Sequence, residues 1–263
     1  MSARPMKAGL VVFTAAAAVW LCGCRAGVQV APPSSPTVTP YSSDPSIAVT
    51  RTGYTVQVGA FSVLDNARRL VRALNDIGLD AFYYPQRSGL YRVRFGDFPT
   101  REAAVREAER LRRQNLVDDY FIVRPEDHPV HRLSLPGAGL REKLAATAAS
   151  FLGVEYTWGG ASMREGVDCS GLVQAVYRLN GLNLPRSATD QYLAGAKVAP
   201  HRLQKGDLVF FSGPPGRTAS HVGIYIGENV FIHAPGTGQK VREESLESPY
   251  FRERFSGARA YLD

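Results

Sequence analysis

Cysteine is scarce in this chain. Of three residues, Cys22 and Cys24 close the first apolar run, so Cys169 stands alone in everything that follows. That apolar run, Ala8–Leu21, falls short of the roughly 20 residues a bilayer-spanning helix needs. Charge of one sign is also lacking. Residues 52–126 hold twelve basic and ten acidic side chains, and residues 127–263 hold fifteen and thirteen, without runs. Nucleic acid is therefore unsupported as a partner, despite a formal net charge of +7. No pattern supplies three or four metal ligands, and neither metal nor cofactor is expected. A lone cysteine with histidines downstream (His221 and His233) is a candidate nucleophile with its base.

The chain opens as an export signal, with Arg4 and Lys7 ahead of the apolar run. Leu21-Cys22-Gly23-Cys24 resembles a bacterial lipobox, which implies removal of residues 1–23 and a lipid on Cys24. Arg25 follows, where aspartate would resemble an inner-membrane retention signal. The resemblance thus implies lipid anchoring at the outer membrane, facing the periplasm. Residues 24–51 are rich in Pro, Ser and Thr and read as an extended tether. Residues 127–139 read as a second linker. There His128 and His131 have helical ligand spacing, but Pro129 argues against a helix, so both are expected to be solvated.

Between the linkers an internal repeat recurs at an offset of 37 residues: Tyr54-Thr-Val-Gln-Val-Gly-Ala-Phe61 matches Tyr91-Arg-Val-Arg-Phe-Gly-Asp-Phe98. Each copy alternates at period two, turns at Gly59 or Gly96, then shifts to helical spacing. Two further short strands, Asp80–Tyr84 and Tyr120–Val123, complete a ferredoxin-like βαββαβ sheet with both helices on one face. Alternation then sends Gln57, Arg92 and Arg94 to the other, open face. Residues 52–126 resemble the SPOR family. That likeness implies binding of peptidoglycan glycan strands through Gln57, Arg92 and Arg94.

From Leu140 onward a helix, the Cys169 helix and several strands follow one another. Asp168 occupies an N-cap position, and Leu172, Val173, Val176 and Tyr177 form the helix's apolar face. A thiol in the first turn feels the positive helix end, which favours thiolate, whereas Asp168 opposes it. A cationic His221 would tip the balance. His221–Gly227 and Asn229–Ala234 read as a hairpin. A three-residue loop, 227–229, sets 223 opposite 233 and puts both histidines on one face; a two-residue loop would separate them. Cys169 is then the nucleophile, His221 the base and His233 its orienter, with Tyr156 a further hydrogen-bond donor. Trp158, Phe210 and Phe211 read as core, and His201 as an unpartnered loop residue.

Residues 140–263 resemble the NlpC-type cell-wall peptidases, a papain-like α+β group. The match runs through Tyr156-Thr-Trp-Gly-Gly160, Asp168-Cys-Ser-Gly171, Leu184-Pro-Arg186, Gly206-Asp-Leu-Val-Phe-Phe211, His221-Val-Gly-Ile-Tyr225 and His233-Ala234. The resemblance implies a Cys169-His221-His233 triad, Tyr156 near the oxyanion, and a pocket shaped by Asp168, Ser170 and Arg186. It also implies a monomeric endopeptidase cutting peptidoglycan stem peptides. Two bonds are open: γ-D-glutamyl-diaminopimelate, favoured, and the D-alanyl-diaminopimelate cross-link. Acyl transfer shares the same chemistry but needs an acceptor amine. A non-catalytic wall-binding lipoprotein is the rival of another class.

Overall fold

The computed structural model describes residues 48–263, except 87, 133–137, 157–160, 163–165, 214–218 and 263. The expected signal segment, the lipid site at Cys24, most of the tether and Trp158 lie outside the described residues.

The repeat folds as its pattern requires. After a short β1 (Thr50–Arg51), the first copy supplies β2 (Tyr54–Phe61), α1 (Leu64–Asp76) and β3 (Ala81–Pro85). The second supplies β4 (Tyr91–Phe98), α2 (Arg101–Arg113) and β5 (Tyr120–Val123). The sheet order is β3-β4-β2-β5, antiparallel throughout. Val56, Val58, Val93 and Phe95 are buried beside Ala67, Val71 and Leu74 of α1 and Ala104, Ala108 and Leu111 of α2. The Thr100 hydroxyl caps α2 by accepting from the Ala103 amide, and Arg110, Arg112 and Arg113 occupy its last turn. Gly59 and Gly96 are not turns. Both lie within strands at positive φ (76° and 78°), where the β2–β4 register shifts by a bulge.

The C-terminal body begins with α3 (Pro129–Arg132) and α4 (Ala138–Ala149), then β6 (Ala161–Ser162), β7 (Gly166–Val167), α5 (Cys169–Leu179) and β8 (Leu182–Asn183). It continues through α6 (Ala188–Ala194), β9 (Ala196–Val198), β10 (Leu208–Phe211), β11 (His221–Gly227) and β12 (Val230–His233). It closes with β13 (Arg242–Ser245), α7 (Pro249–Arg254) and β14 (Phe255–Ala260). Six strands form one antiparallel sheet, ordered β13-β12-β11-β10-β14-β9. The apolar face of α5 packs against β11, with Leu172, Val173, Val176 and Tyr177 fully enclosed. Phe210 and Phe211 are core, as expected.

The sheet face expected to be open is covered. Phe82 and Tyr84, on the same face as Gln57, Arg92 and Arg94, are only 5% and 7% exposed. Arg178 of α5 stacks over the Phe82 ring at 5.0 Å, pairs with Asp80 and donates to the Gly96 carbonyl at 2.9 Å. Asn183 donates to Asp97 at 2.7 Å, and β1 pairs with β8 across the same junction. Gln57, Arg92 and Arg94 are half-buried, and Arg94 lines a cleft opposite Lys143 and Thr147 of α4. The physical reason is β3 itself. Ala81-Phe-Tyr-Tyr84 has no polar alternation, so one face packs on the helices and the other needs a second partner.

Both linker readings also change. Residues 50–51 belong to a strand rather than the tether. Proline is tolerated in a first helical turn, and Pro129 opens α3 there. His128 is buried, 2% exposed, while His131 is half-buried beside Arg51 at 3.2 Å. Arg178→Ala is expected to cost about 2 kcal/mol, because it leaves the Gly96 carbonyl unpaired and uncovers Phe82. Urea denaturation would measure the loss; an unchanged midpoint would show that the junction contributes little.

Candidate active site

Asp168 starts α5. Its carboxylate accepts from the Gly171 amide at 2.7 Å, the N-cap bond the sequence called for. The same carboxylate holds Arg186 in a two-pronged pair, at 2.7 and 3.1 Å. Arg186 also donates to the Ser170 hydroxyl at 2.9 Å. Asp168, Ser170 and Arg186 therefore form one rigid cluster around the first turn of α5, with Cys169 between them in sequence. Tyr156 completes this side. Burial raises its pKa, and the neighbouring Cys169 and Asp168 add to the rise, so the phenol stays protonated as a donor.

Across from the helix, His221 begins β11 and His233 ends β12. Their Nε2 and Nδ1 atoms lie 2.7 Å apart. The shared face arises differently from expectation. The turn holds only two residues, Glu228 and Asn229, both at positive φ (50° and 56°). Gly227, at φ 102°, absorbs the extra residue as a bulge between Tyr225 and Gly227. Ile224 thus still faces Ile232, the register that brings the two imidazoles together.

The histidines sit among aromatic rings. Phe211 and Phe251 lie 6.1 and 6.4 Å from His221, and Phe231 and Phe251 lie 5.0 and 5.2 Å from His233. Burial pushes His221 down to about 4. Burial first, then His221 and Arg242, push His233 down to about 3. Burial likewise pushes the Cys169 thiol up to about 11; the Val222 amide lowers it, and the Asp168 carboxylate raises it further. The resting site therefore holds a neutral thiol and neutral imidazoles, not the thiolate favoured by helix end and cationic histidine. Desolvation outweighs the helix end here.

Val222, whose amide opposes the rise of the Cys169 pKa, follows His221 on the same strand. Nε2 of His221 is engaged by His233, so Nδ1 is the ring nitrogen that this link leaves unused. Sequence reasoning missed Val222, Phe251 and Arg242. Backbone amides carry no sequence signal, and Phe251 and Arg242 arrive from segments outside the motifs. His201 is exposed, within a short 3-10 turn (Pro200–Arg202) rather than the expected loop. Among the described residues no cluster of three or more His, Cys, Asp or Glu could hold a metal. Gln57, Arg92 and Arg94 belong to the sheet junction and take no part in this site.

Residues 153–260 match the NlpC/P60 family and residues 50–123 match the SPOR domain. The chain joins a SPOR domain to an NlpC/P60 domain. The NlpC/P60 domain is 42% identical over 114 residues to murein DD-endopeptidase MepH of Escherichia coli (strain K12), covering 42% of each chain. It is also 42% identical over 124 residues to murein DD-endopeptidase MepS/murein LD-carboxypeptidase of the same strain, covering 47% of this chain and 64% of that one. A gamma-D-glutamyl-L-lysine dipeptidyl-peptidase of Bacillus cereus (strain ATCC 10987 / NRS 248) is 38% identical over 122 residues, 46% of this chain and 36% of its own. The chain spans less than two thirds of each of these curated relatives.

Proposed function

We propose that the protein is a peptidoglycan endopeptidase that hydrolyses a stem-peptide amide by a Cys169-His221-His233 mechanism. The observation that carries this reading is the 2.7 Å link between His221 Nε2 and His233 Nδ1, on the strand pair packed against the helix that begins at Cys169. As the Cys169 sulfur attacks the carbonyl carbon, its proton passes to Nδ1 of His221 and the oxygen becomes an oxyanion. Backbone amides at Cys169 and the protonated Tyr156 donate to that oxyanion. Collapse breaks the C–N bond, and His221 hands its proton to the departing amine. Water, deprotonated by the same imidazole, then opens the thioester to a carboxylic acid and restores the thiol. Asp168, Ser170 and Arg186 form the wall of the acyl-side pocket.

The favoured bond is γ-D-glutamyl-diaminopimelate, and the dipeptidyl-peptidase relative cuts a gamma-D-glutamyl bond by its name. The two murein DD-endopeptidase relatives support the D-alanyl-diaminopimelate cross-link as the second reading. In this proposal the SPOR domain docks the protein on glycan strands, while Gln57, Arg92 and Arg94, on the central strands behind α4 and α5, are not its contacts. A lipid on Cys24 anchors the monomer to the outer membrane, in the periplasmic envelope.

Digestion of purified sacculi with wild type and Cys169→Ala, followed by mass spectrometry, tests the reading. Wild type is expected to release peptide fragments whose masses name the bond, and the variant none. Identical profiles from both proteins would leave a wall-binding lipoprotein instead.

A further inference from the structure

A cavity of about 450 Å³ adjoins the histidine pair. His221 and His233 line it, whereas Tyr156, Asp168, Cys169 and Arg186 do not. It therefore extends the site on the side away from the Asp168 cluster. On the endopeptidase reading, which sets Asp168, Ser170 and Arg186 on the acyl side, this is the amine side of the reaction.

Its wall is cationic and incompletely bonded. Arg242 and Arg254 line it together with a single carboxylate, Glu244. Arg242 donates to Gln239 at 2.6 Å and lies 3.3 Å from Glu244. Arg254 lies over the Tyr250 ring at 4.0 Å and donates to the Tyr250 carbonyl at 3.1 Å. Both guanidinium groups stay substantially exposed. His233 and Ser248 are lining residues, and their Nε2 and Oγ atoms are enclosed without a hydrogen-bond partner among the described residues. His233 as a whole is only 1% exposed.

Proton bookkeeping on the two rings makes that Nε2 a donor. For His221 to accept the thiol proton at Nδ1, its Nε2 must carry hydrogen and donate to Nδ1 of His233. A neutral His233 then bears its own hydrogen on the enclosed Nε2. A buried donor without an acceptor is costly, and a ligand oxygen relieves that cost.

We propose that this cavity receives a carboxylate borne by the amine-side residue of the scissile bond, held by Arg242 and Arg254 and accepting from His233 Nε2. This deepens the endopeptidase reading and rests on it for the identity of the substrate. A carboxylate on His233 also favours positive charge on His221 as the thiol proton arrives, because it offsets the nearby Arg242. Substrate would thus complete the relay that the chain leaves open.

The test is calorimetric titration of Cys169→Ala protein with diaminopimelyl peptide, its carboxylates free or amidated. The free acid is expected to bind about tenfold more tightly, as a charge-assisted bond to guanidinium requires. Adding Arg242→Gln should bring that ratio close to one, while Arg242→Lys, which keeps the charge, should retain most of it. Arg254→Gln gives a second, independent reduction should the first variant fail to fold. Equal binding of the two ligands by Cys169→Ala, or a ratio untouched by both glutamine variants, would overturn the assignment. Turnover of stem peptide by wild type, measured in parallel, reports on the endopeptidase reading separately: preference for the free acid without any cleavage would keep the cavity and remove the reaction.

Discussion

Alanine in place of His221 is expected to lower kcat/KM at pH 7 by about three to four orders of magnitude. The size follows from the thiol. With Cys169 pushed up to about 11, only about one molecule in ten thousand holds thiolate at pH 7 once the base is gone. The residual rate should therefore climb about tenfold per pH unit from 7 to 10, as hydroxide replaces the imidazole. Wild type should show no such climb. Its histidines are neutral above about pH 4, so its rate should stay level from pH 5 to 9. His233→Gln should cost much less, about ten- to a hundredfold, since a glutamine still orients the ring without sharing charge. Stopped assays on a stem peptide across this range decide the matter. A His221→Ala rate that is flat with pH would mean that the thiolate forms without this base.

Acid should unfold the protein well before its carboxylates are protonated. His128, His221 and His233 are pushed down to about 4, 4 and 3, each chiefly by burial. An unfolded chain binds their protons near 6.5, the folded one only below 4. Stability is therefore complete above about pH 6.5 and is lost as pH falls toward 4. Each imidazole contributes about 1.4 kcal/mol per pH unit inside that window. Asp207 works in the opposite direction, because burial raises its pKa, with Arg141 pulling it down. These three, joined by the half-buried His131 whose pKa burial also lowers, outweigh one carboxylate, so the urea midpoint should drop steeply between pH 6.5 and 5. His128→Asn should flatten the slope by about a third while sparing the catalytic pair. An equal midpoint at pH 7 and pH 5 would contradict the burial of these rings.

Much of this architecture was legible in the sequence, and the exceptions have a common cause. The 37-residue repeat disclosed the N-terminal sheet because period-two and helical spacing alternate cleanly in both copies. Asp168 disclosed the start of α5, whereas the common face of His221 and His233 was legible only as a condition on a three-residue loop, and a two-residue turn with a bulge at Gly227 meets it instead. Local patterns failed where two surfaces meet. Gln57, Arg92 and Arg94 alternate as solvent-facing residues do, yet α4 and α5 stand in front of them. His128 looked like linker until the junction enclosed it. The unbroken aromatic run of β3 was the one sequence clue to that contact. The protonation state of the site was equally hidden, because Phe211, Phe231 and Phe251 reach the histidines from three separate segments.

The hairpin tip beyond Ile224 carries a further consequence. Gly227 is what reconciles a two-residue turn with two imidazoles on the same side. Deleting it would remove the bulge and set Ile226 opposite Val230, so Ile224 would still face Ile232 and both imidazoles would keep their common side. The odd residue is thus carried by the bulge and not by the turn, so a tip shortened there would keep its histidine pair, whereas an insertion into the far strand would turn the buried Phe231 and Ile232 to the wrong faces.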